Sequence, residues 1–233
     1  EYKANRADAP DDLAPQFAYI RKSVEAFNLP SIELLNYEAD DLIATYAKQI
    51  TDAGAKVTVI SSDKDLMQLV SDKIRLYDPM KSKVIGEKEV LEKFGVKPSQ
   101  VIDVQSLAGD SSDNIPGVPG IGVKTAAELI NKYKNLDTLL KKALEIPQNK
   151  RRETLLENKD KALLSKKLVT LKVDVPVKDY PSSFILKDVN KENNKTKISK
   201  IDTKLYKSIL NEKDLEKLIK TLNEKSLIAV DTE

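Results

Sequence analysis

The sequence predicts an α/β fold, with a mostly parallel sheet flanked by helices and a smaller α-helical unit attached. Three observations predict it. β-type runs at 56–60, 74–77 and 83–85 alternate with segments whose apolar residues fall at helical spacing, the pattern of a layered α/β domain. A glycine-rich turn at 109–122 then opens a stretch with helical patterns. Hydrophobic residues make up 40% of the 233 positions, enough for a buried core, yet no apolar run is long enough to span a bilayer.

The elements follow in order. The basic stretch 1–6 precedes Pro10-Asp11-Asp12, which starts a helix with apolar residues at Leu13, Phe17, Ile20, Val24 and Phe27, and Leu29-Pro30 ends it. Residues 32–35 read as a short strand that delivers the chain to Glu38. A helix at 40–52 carries Leu42, Ile43, Tyr46, Ala47 and Ile50 inward, and Gly54 breaks it. Residues 56–60 read as a buried strand. Asp63 and Asp65 lie just past its carboxyl end, where open parallel sheets bind ligands. Asp63 has a second reading as the cap of a helix through Leu66, Leu69 and Val70. Two more strands, at 74–77 and 83–85, surround Pro79, and helices follow at about 87–94 and 98–108.

The stretch GDSSDNIPGVPGIG at 109–122, followed by Val123-Lys124-Thr125, has the look of a phosphate loop, but Val123 separates Gly122 from Lys124 and no buried strand precedes it. A helix–hairpin–helix fits better. Gly117, Gly120 and Gly122 would permit positive φ and close backbone approach, while the next helix would aim free N–H groups, with Lys124, at a phosphate. The same glycines also suit a tight helix–helix turn with no ligand. Residues 150–172 read as basic and helical, with Leu155, Leu156, Leu163, Leu164 and Leu168 inward and the charges on a solvated or DNA-holding face. Residues 174–200 read as domain edge and linker. A helix at 212–223 and an apolar, strand-like run at 227–233 begin a new unit. With a start at Glu1 and that unpartnered final run, the expectation is a fragment of a longer protein.

Composition narrows the chemistry. There is no cysteine and no histidine, which excludes disulfides, thiolate metal sites, Ser-His-Asp and Cys-His catalysis and imidazole bases. Carboxylates, lysines and metal-bound water remain, and hard carboxylate oxygens suit Mg²⁺ or Mn²⁺. Net charge is only +2 although 33% of residues are charged, so clustered acids would leave Lys and Arg to dominate elsewhere, a layout suited to a polyanionic substrate. A cytoplasmic setting fits this composition.

The acids cluster in three groups: Glu38, Asp40 and Asp41; Asp63 and Asp65; Asp110 and Asp113. Each group stands next to an element end. Acids at a helix N-terminus are often there only for the local partial positive charge, but seven in three tight groups suggest a shared metal pocket.

Four ordered motifs carry a family resemblance: Tyr2-Lys3-Ala4-Asn5-Arg6, Tyr37-Glu38-Ala39-Asp40-Asp41, Ser62-Asp63-Lys64-Asp65, and Gly109-Asp110-Ser111-Ser112-Asp113-Asn114 with its glycine hairpin. Over residues 1–185 the chain resembles the 5′ nuclease domain of bacterial DNA polymerase I, which is related to the flap endonucleases. Residues 201–233 resemble the start of that protein's 3′–5′ exonuclease domain, with Asp231-Thr232-Glu233 at its first acidic motif. The resemblance implies a PIN-like core at 1–108 lacking its first strand, a helix–hairpin–helix subdomain at 109–185 and a linker at 186–200. It implies a monomer that hydrolyses phosphodiesters at 5′ ends or flaps of branched or nicked DNA. The acids Glu38, Asp40, Asp41, Asp63, Asp65, Asp110 and Asp113 would hold two Mg²⁺ or Mn²⁺ ions, and Lys3 and Arg6 would act near the scissile phosphate. Gly117, Gly120, Gly122 and Lys124 would grip the duplex, with a monovalent cation at the hairpin in some relatives.

In that family an acid-bearing strand, a further acid and an arginine precede the Tyr-Lys motif, so the expectation is a fragment that binds DNA weakly and is poorly active or inactive, whereas the intact protein would be a nuclease. Alternatives are an inactive structure-selective DNA-binding module, a stand-alone 5′ nuclease, or a related nuclease acting on RNA.

Overall fold

The structure, a computed structural model, describes residues 10–185. They belong to the first of two units into which the chain divides, Glu1–Val189 and Asn190–Glu233. The expectations for Lys3 and Arg6, for the linker at 186–200 and for the helix and strand beyond residue 200 lie outside the described residues.

Among the described residues the sheet has three strands in the order β1-β2-β3, at Val57–Ile60, Ile74–Asp78 and Lys83–Ile85. β1 and β2 are parallel, with Val57 opposite Ile74 and Ile60 opposite Tyr77. β2 and β3 are antiparallel, with Leu76 opposite Ile85. The sheet is therefore mixed, not mostly parallel, among the described residues. The reason lies in connection length: a parallel return needs a crossover of about a dozen residues or more, whereas the short turn at 79–82 can only reverse the chain. That turn is fixed by buried Asp78, whose Oδ1 accepts the amides of Met80 and Lys81 at 3.0 and 3.3 Å.

Two strand expectations need correction. Residues 32–35 form no strand: Pro30 has no N–H to donate, and Asn36 turns the chain at φ 69°. β1 is also not buried throughout. Val59 is buried, but Ile60 is 70% exposed, as alternation along a strand at the sheet's edge dictates.

Helix α1 (Phe17–Ala26) forms at its expected place but buries none of its residues, and Phe17, Ile20 and Phe27 stay about half exposed. α2 (Ala39–Asp52) buries Leu42, Ala44, Thr45 and Ala47. The helix expected through Leu66 is only a 3-10 turn, Asp65–Leu69. α3 (Glu87–Phe94) ends where Gly95 takes φ 71°. α4 (Val101–Ala108) is the centre of the core, with Val101, Val104 and Leu107 fully buried. α5 (Val123–Tyr133) and α6 (Leu136–Lys141) pack around it, and Asn135 caps α6 by accepting the Thr138 amide at 2.8 Å. The basic stretch divides at Asn158 into α7 (Asn149–Glu157) and α8 (Lys159–Val169), and α8 packs on α4. Leu155 is buried as expected, but Leu156 and Leu164 face outward. Two of the basic residues serve the interior. Lys166 pairs with Asp103 and Asp137 at 3.3 and 3.0 Å, and Arg152 donates to the Ile146 carbonyl at 2.8 Å.

Candidate functional site

The second acid group sits at the carboxyl end of β1. The Asp63 amide bonds the Ser61 hydroxyl at 3.0 Å, and Asp63 Oδ1 accepts the Asp65 amide at 2.9 Å, closing the chain into the 3-10 turn. The N-cap position is Lys64 and not Asp63, so the expected capping role is not what Asp63 plays; its bond to the Asp65 amide uses one carboxylate oxygen. The third acid group opens the glycine hairpin. Asp110 and Ile115 exchange backbone hydrogen bonds at 2.9 and 2.7 Å, and Asp110 Oδ1 accepts the Ser112 amide at 3.0 Å and its hydroxyl at 2.5 Å. Both Asp110 and Asp113 are buried.

These two groups meet at Lys64. Its Nζ lies 2.5 Å from Asp110 Oδ2, and the Asp110 side chain is only 5% exposed. Burial disfavours the Lys64 ammonium, but Asp110, then Asp65 and Asp63, outweigh it and hold its pKa above the ordinary lysine value. Burial likewise pushes the Asp110 carboxyl up, but Lys64 and Ser112 prevail and hold it below the usual carboxylate range. For Asp65 burial wins. Its pKa is raised, with Asp63 adding to the rise and Gln105 and Lys64 opposing it. Burial, then Lys81 and Lys64, lower the pKa of Lys93 on α3, with Asp63 and Asp65 opposing the fall.

The first acid group stands in and before the first turn of α2, with Asp40 and Asp41 inside it and Glu38 at its N-cap position. Asp41 Oδ1 accepts the Lys172 amide at 2.8 Å. The segment after α8 is held down along its length: Gln68 bonds the Val169 carbonyl at 2.9 Å and the Leu171 amide at 3.2 Å, and Thr45 bonds the Val175 amide at 3.2 Å. Glu38 and Asp41 line a cleft of about 830 Å³ with Lys166, Lys167 and Lys172.

The candidate donors are all carboxylate oxygens, a chemistry that fits a hard divalent cation. Lys64 already stands as the cation against Asp110. Their spacing is looser than a cage, since among the described residues no three acids stand close enough to grasp one ion. Like charges separate, and Asp110 and Asp41 are each turned to a protein partner, Lys64 and the Lys172 amide.

The hairpin glycines divide by role. Gly109 (φ 70°) and Gly117 (φ 57°) pack backbone against backbone: a Cβ on Gly109 would lie 2.6 Å from the Ile115 oxygen and 2.9 Å from the Gly117 nitrogen. Gly117 is buried and gives its N–H to Ser165 of α8 at 3.0 Å, so it closes the turn rather than facing outward. Gly120 is exposed at φ 74°. Gly122 is exposed with φ −87°, so no positive φ is needed there. Lys124 is exposed in the first turn of α5, which carries no acid.

Sequence reasoning missed Lys64, Gln105 and Ser165. Lys64 had a signal, a lysine between two acids after a strand. Gln105 and Ser165 had none, because each meets its partner across the fold.

Comparison with known proteins gives a consistent result. A family model described as "5′-3′ exonuclease, N-terminal resolvase-like domain" matches residues 1–95, and one described as "5′-3′ exonuclease, C-terminal SAM fold" matches residues 96–192. The chain is similar to a DNA polymerase I of Rhizobium leguminosarum, 56% identical over 189 residues that cover 81% of this chain and 19% of that protein. It is also similar to a 5′-3′ exonuclease of Aquifex aeolicus, 34% identical over 97% of this chain and 75% of the relative. A solved structure of the bacteriophage T5 flap endonuclease, a pseudo-enzyme-product complex with DNA and metal ions, superposes with a TM-score of 0.64 at 26% identity, covering 72% of this chain and 66% of that one. The chain spans about a fifth of the length of the DNA polymerase I relatives it matches. No helix among the described residues is long and apolar enough to cross a membrane.

Proposed function

The chain belongs to the 5′-3′ exonuclease family, and on that premise we propose that it is the 5′ nuclease segment of a DNA-processing enzyme that hydrolyses phosphodiesters at 5′ ends or flaps of branched or nicked DNA. The observation that supports this best is the Lys64–Asp110 ion pair, which joins the loop carrying Asp63 and Asp65 to the loop that Asp110 opens and that leads through Gly120 and Gly122 to Lys124. One acid group and the duplex grip would thereby share a single stretch of chain. The metal-bound phage relative and the all-oxygen donor set support dependence on divalent cations, Mg²⁺ or Mn²⁺.

Glu38, Asp40, Asp63, Asp65, Asp110 and Asp113 would hold two such ions, and Asp41 has one oxygen left beyond the Lys172 amide. When bound, the ions would activate water and offset charge on the scissile phosphate. The protein's own part is positioning. The 3-10 turn fixes the Asp63 side chain, the Asp110–Ile115 bridge fixes the hairpin entrance, and the exposed α5 N-terminus with Lys124 offers a phosphate its free N–H groups and a charge. Lys3 and Arg6 would add charge near the reacting phosphate. A monomer in the cytoplasm, next to its DNA, accords with this reading.

The test is cleavage of a labelled 5′-flap duplex. The expected result is cutting that requires Mg²⁺ and disappears in Asp63→Ala. Affinity for the duplex that ignores metal, with no cutting in Mg²⁺ or Mn²⁺, would instead make the chain a binding module. Preference for an RNA flap over a DNA flap would move it to the RNA-directed reading.

A further inference from the structure

Gln105 is 4% exposed, on the face of α4 turned toward the acids, five residues before Asp110. Its Nε2 donates to Asp65 Oδ1 at 2.5 Å, and its Oε1 is buried with no hydrogen-bond partner. Only this orientation of the amide sets a donor on the carboxylate. A buried glutamine with an unpaired oxygen is a poor device for stability, because the desolvation of Oε1 is uncompensated. A methionine or leucine would fill the same volume among Val101, Val104 and Leu107 without that cost.

We propose that Gln105 is a positioning residue for Asp65, fixing one carboxylate oxygen so that the other points to the divalent cation of the acid site. The proposal rests on the metal-dependent reading given above. Asp65 sits half-buried at the start of a 3-10 turn only five residues long, and its own backbone does not fix its side chain. Gln105 supplies that constraint from the most deeply buried helix of the core, and the same helix leads directly to Asp110 through Gly109. One rigid element thus sets two acids from different motifs, the usual role of a hydrogen-bonded neighbour behind a carboxylate ligand.

The test is calorimetric titration of the full chain with Mn²⁺, for the wild type, Gln105→Met, Asp65→Asn and the double variant, with melting temperatures taken in EDTA. Gln105→Met is expected to weaken Mn²⁺ binding by roughly 10- to 100-fold while its melting temperature stays unchanged or rises. In the Asp65→Asn background the same change is expected to have no further effect on Mn²⁺. Unaltered Mn²⁺ affinity in Gln105→Met would overturn the role of Gln105 and leave the metal reading standing. Equal losses in both backgrounds, or a fall in melting temperature with the loss of affinity, would reduce Gln105 to a packing residue. Absence of Mn²⁺ binding in the wild type would overturn the metal reading itself.

Discussion

The Lys172 amide donates to Asp41 Oδ1 at 2.8 Å, joining residues 131 positions apart in sequence. This contact ties the segment that leaves α8 to the helix that carries the first acid group. It makes Asp41 a structural acceptor whatever else its second oxygen does. Asp41→Asn keeps an acceptor there and is expected to keep stability, whereas Asp41→Ala leaves the amide unpaired and is expected to cost about 1 kcal/mol in urea unfolding. Equal stability of the two variants would mean the bond contributes nothing.

Lys64 and Asp110 form an ion pair with one buried partner, the side chains being 38% and 5% exposed. Lys64→Met leaves the Asp110 charge buried and uncompensated. The expected cost at neutral pH is about 2 kcal/mol, below the ~3–5 kcal/mol of a fully buried pair because water screens Lys64. The Asp110 pKa is depressed in the folded state, so its contribution is present above the ordinary carboxylate value and lost as pH falls through the folded one. Urea unfolding of Lys64→Met at neutral and at strongly acidic pH checks this: the deficit should shrink once Asp110 is protonated.

Asp65 carries the opposite sign. Its folded pKa lies above the ordinary value, chiefly through burial, so its ionisation costs stability as pH rises through that folded pKa. Asp65→Asn is therefore expected to melt higher than the wild type at pH 7 in EDTA, with the difference vanishing below the usual carboxylate range. A lower melting temperature at pH 7 would show that the Gln105 amide and Lys64 outweigh burial.

The hairpin glycines should rank by what a Cβ would meet. Gly109→Ala and Gly117→Ala pay both a positive φ and a backbone collision, at roughly 3 kcal/mol or more. Gly120→Ala pays only the positive φ, about 1 kcal/mol, because no atom lies within 4 Å of the added Cβ. Gly122→Ala, at φ −87° and in open space, should be close to neutral. Chemical denaturation of the four variants gives the order directly.

Duplex binding through the α5 N-terminus predicts a particular salt response. Lys124→Ala should weaken binding alike for unrelated sequences and reduce the slope of log affinity against log salt by about one. A variant that keeps the full slope would take Lys124 off the DNA.

Much of this was legible in the sequence, for physical reasons. The strands at 57–60, 74–78 and 83–85 and the helix at 87–94 are local patterns bounded by glycine or a turn, and they formed where periodicity put them. The glycine hairpin was legible at Gly117 and Gly120, whose positive φ demands that residue type, but not at Gly122, which has φ −87°, or at Gly109, whose φ of 70° the sequence reading did not name. What periodicity could not give was burial decided by distant partners. The apolar residues of α1 have the helical spacing of a core face yet remain exposed, and Leu156 and Leu164 likewise face out. The acid groups were visible as clusters. That Asp110 would turn to Lys64, Asp65 to Gln105 and Asp41 to Lys172 was not, since each contact joins separate elements.

The central claim is that acids from separate motifs share one divalent ion. Anomalous scattering from crystals of the chain soaked in Mn²⁺ tests it most directly. The account predicts a peak within coordination distance of Asp63, Asp65 and Asp110, with the Lys64 ammonium displaced from Asp110. Mn²⁺ bound only at other acids, with Lys64 still against Asp110, would contradict it.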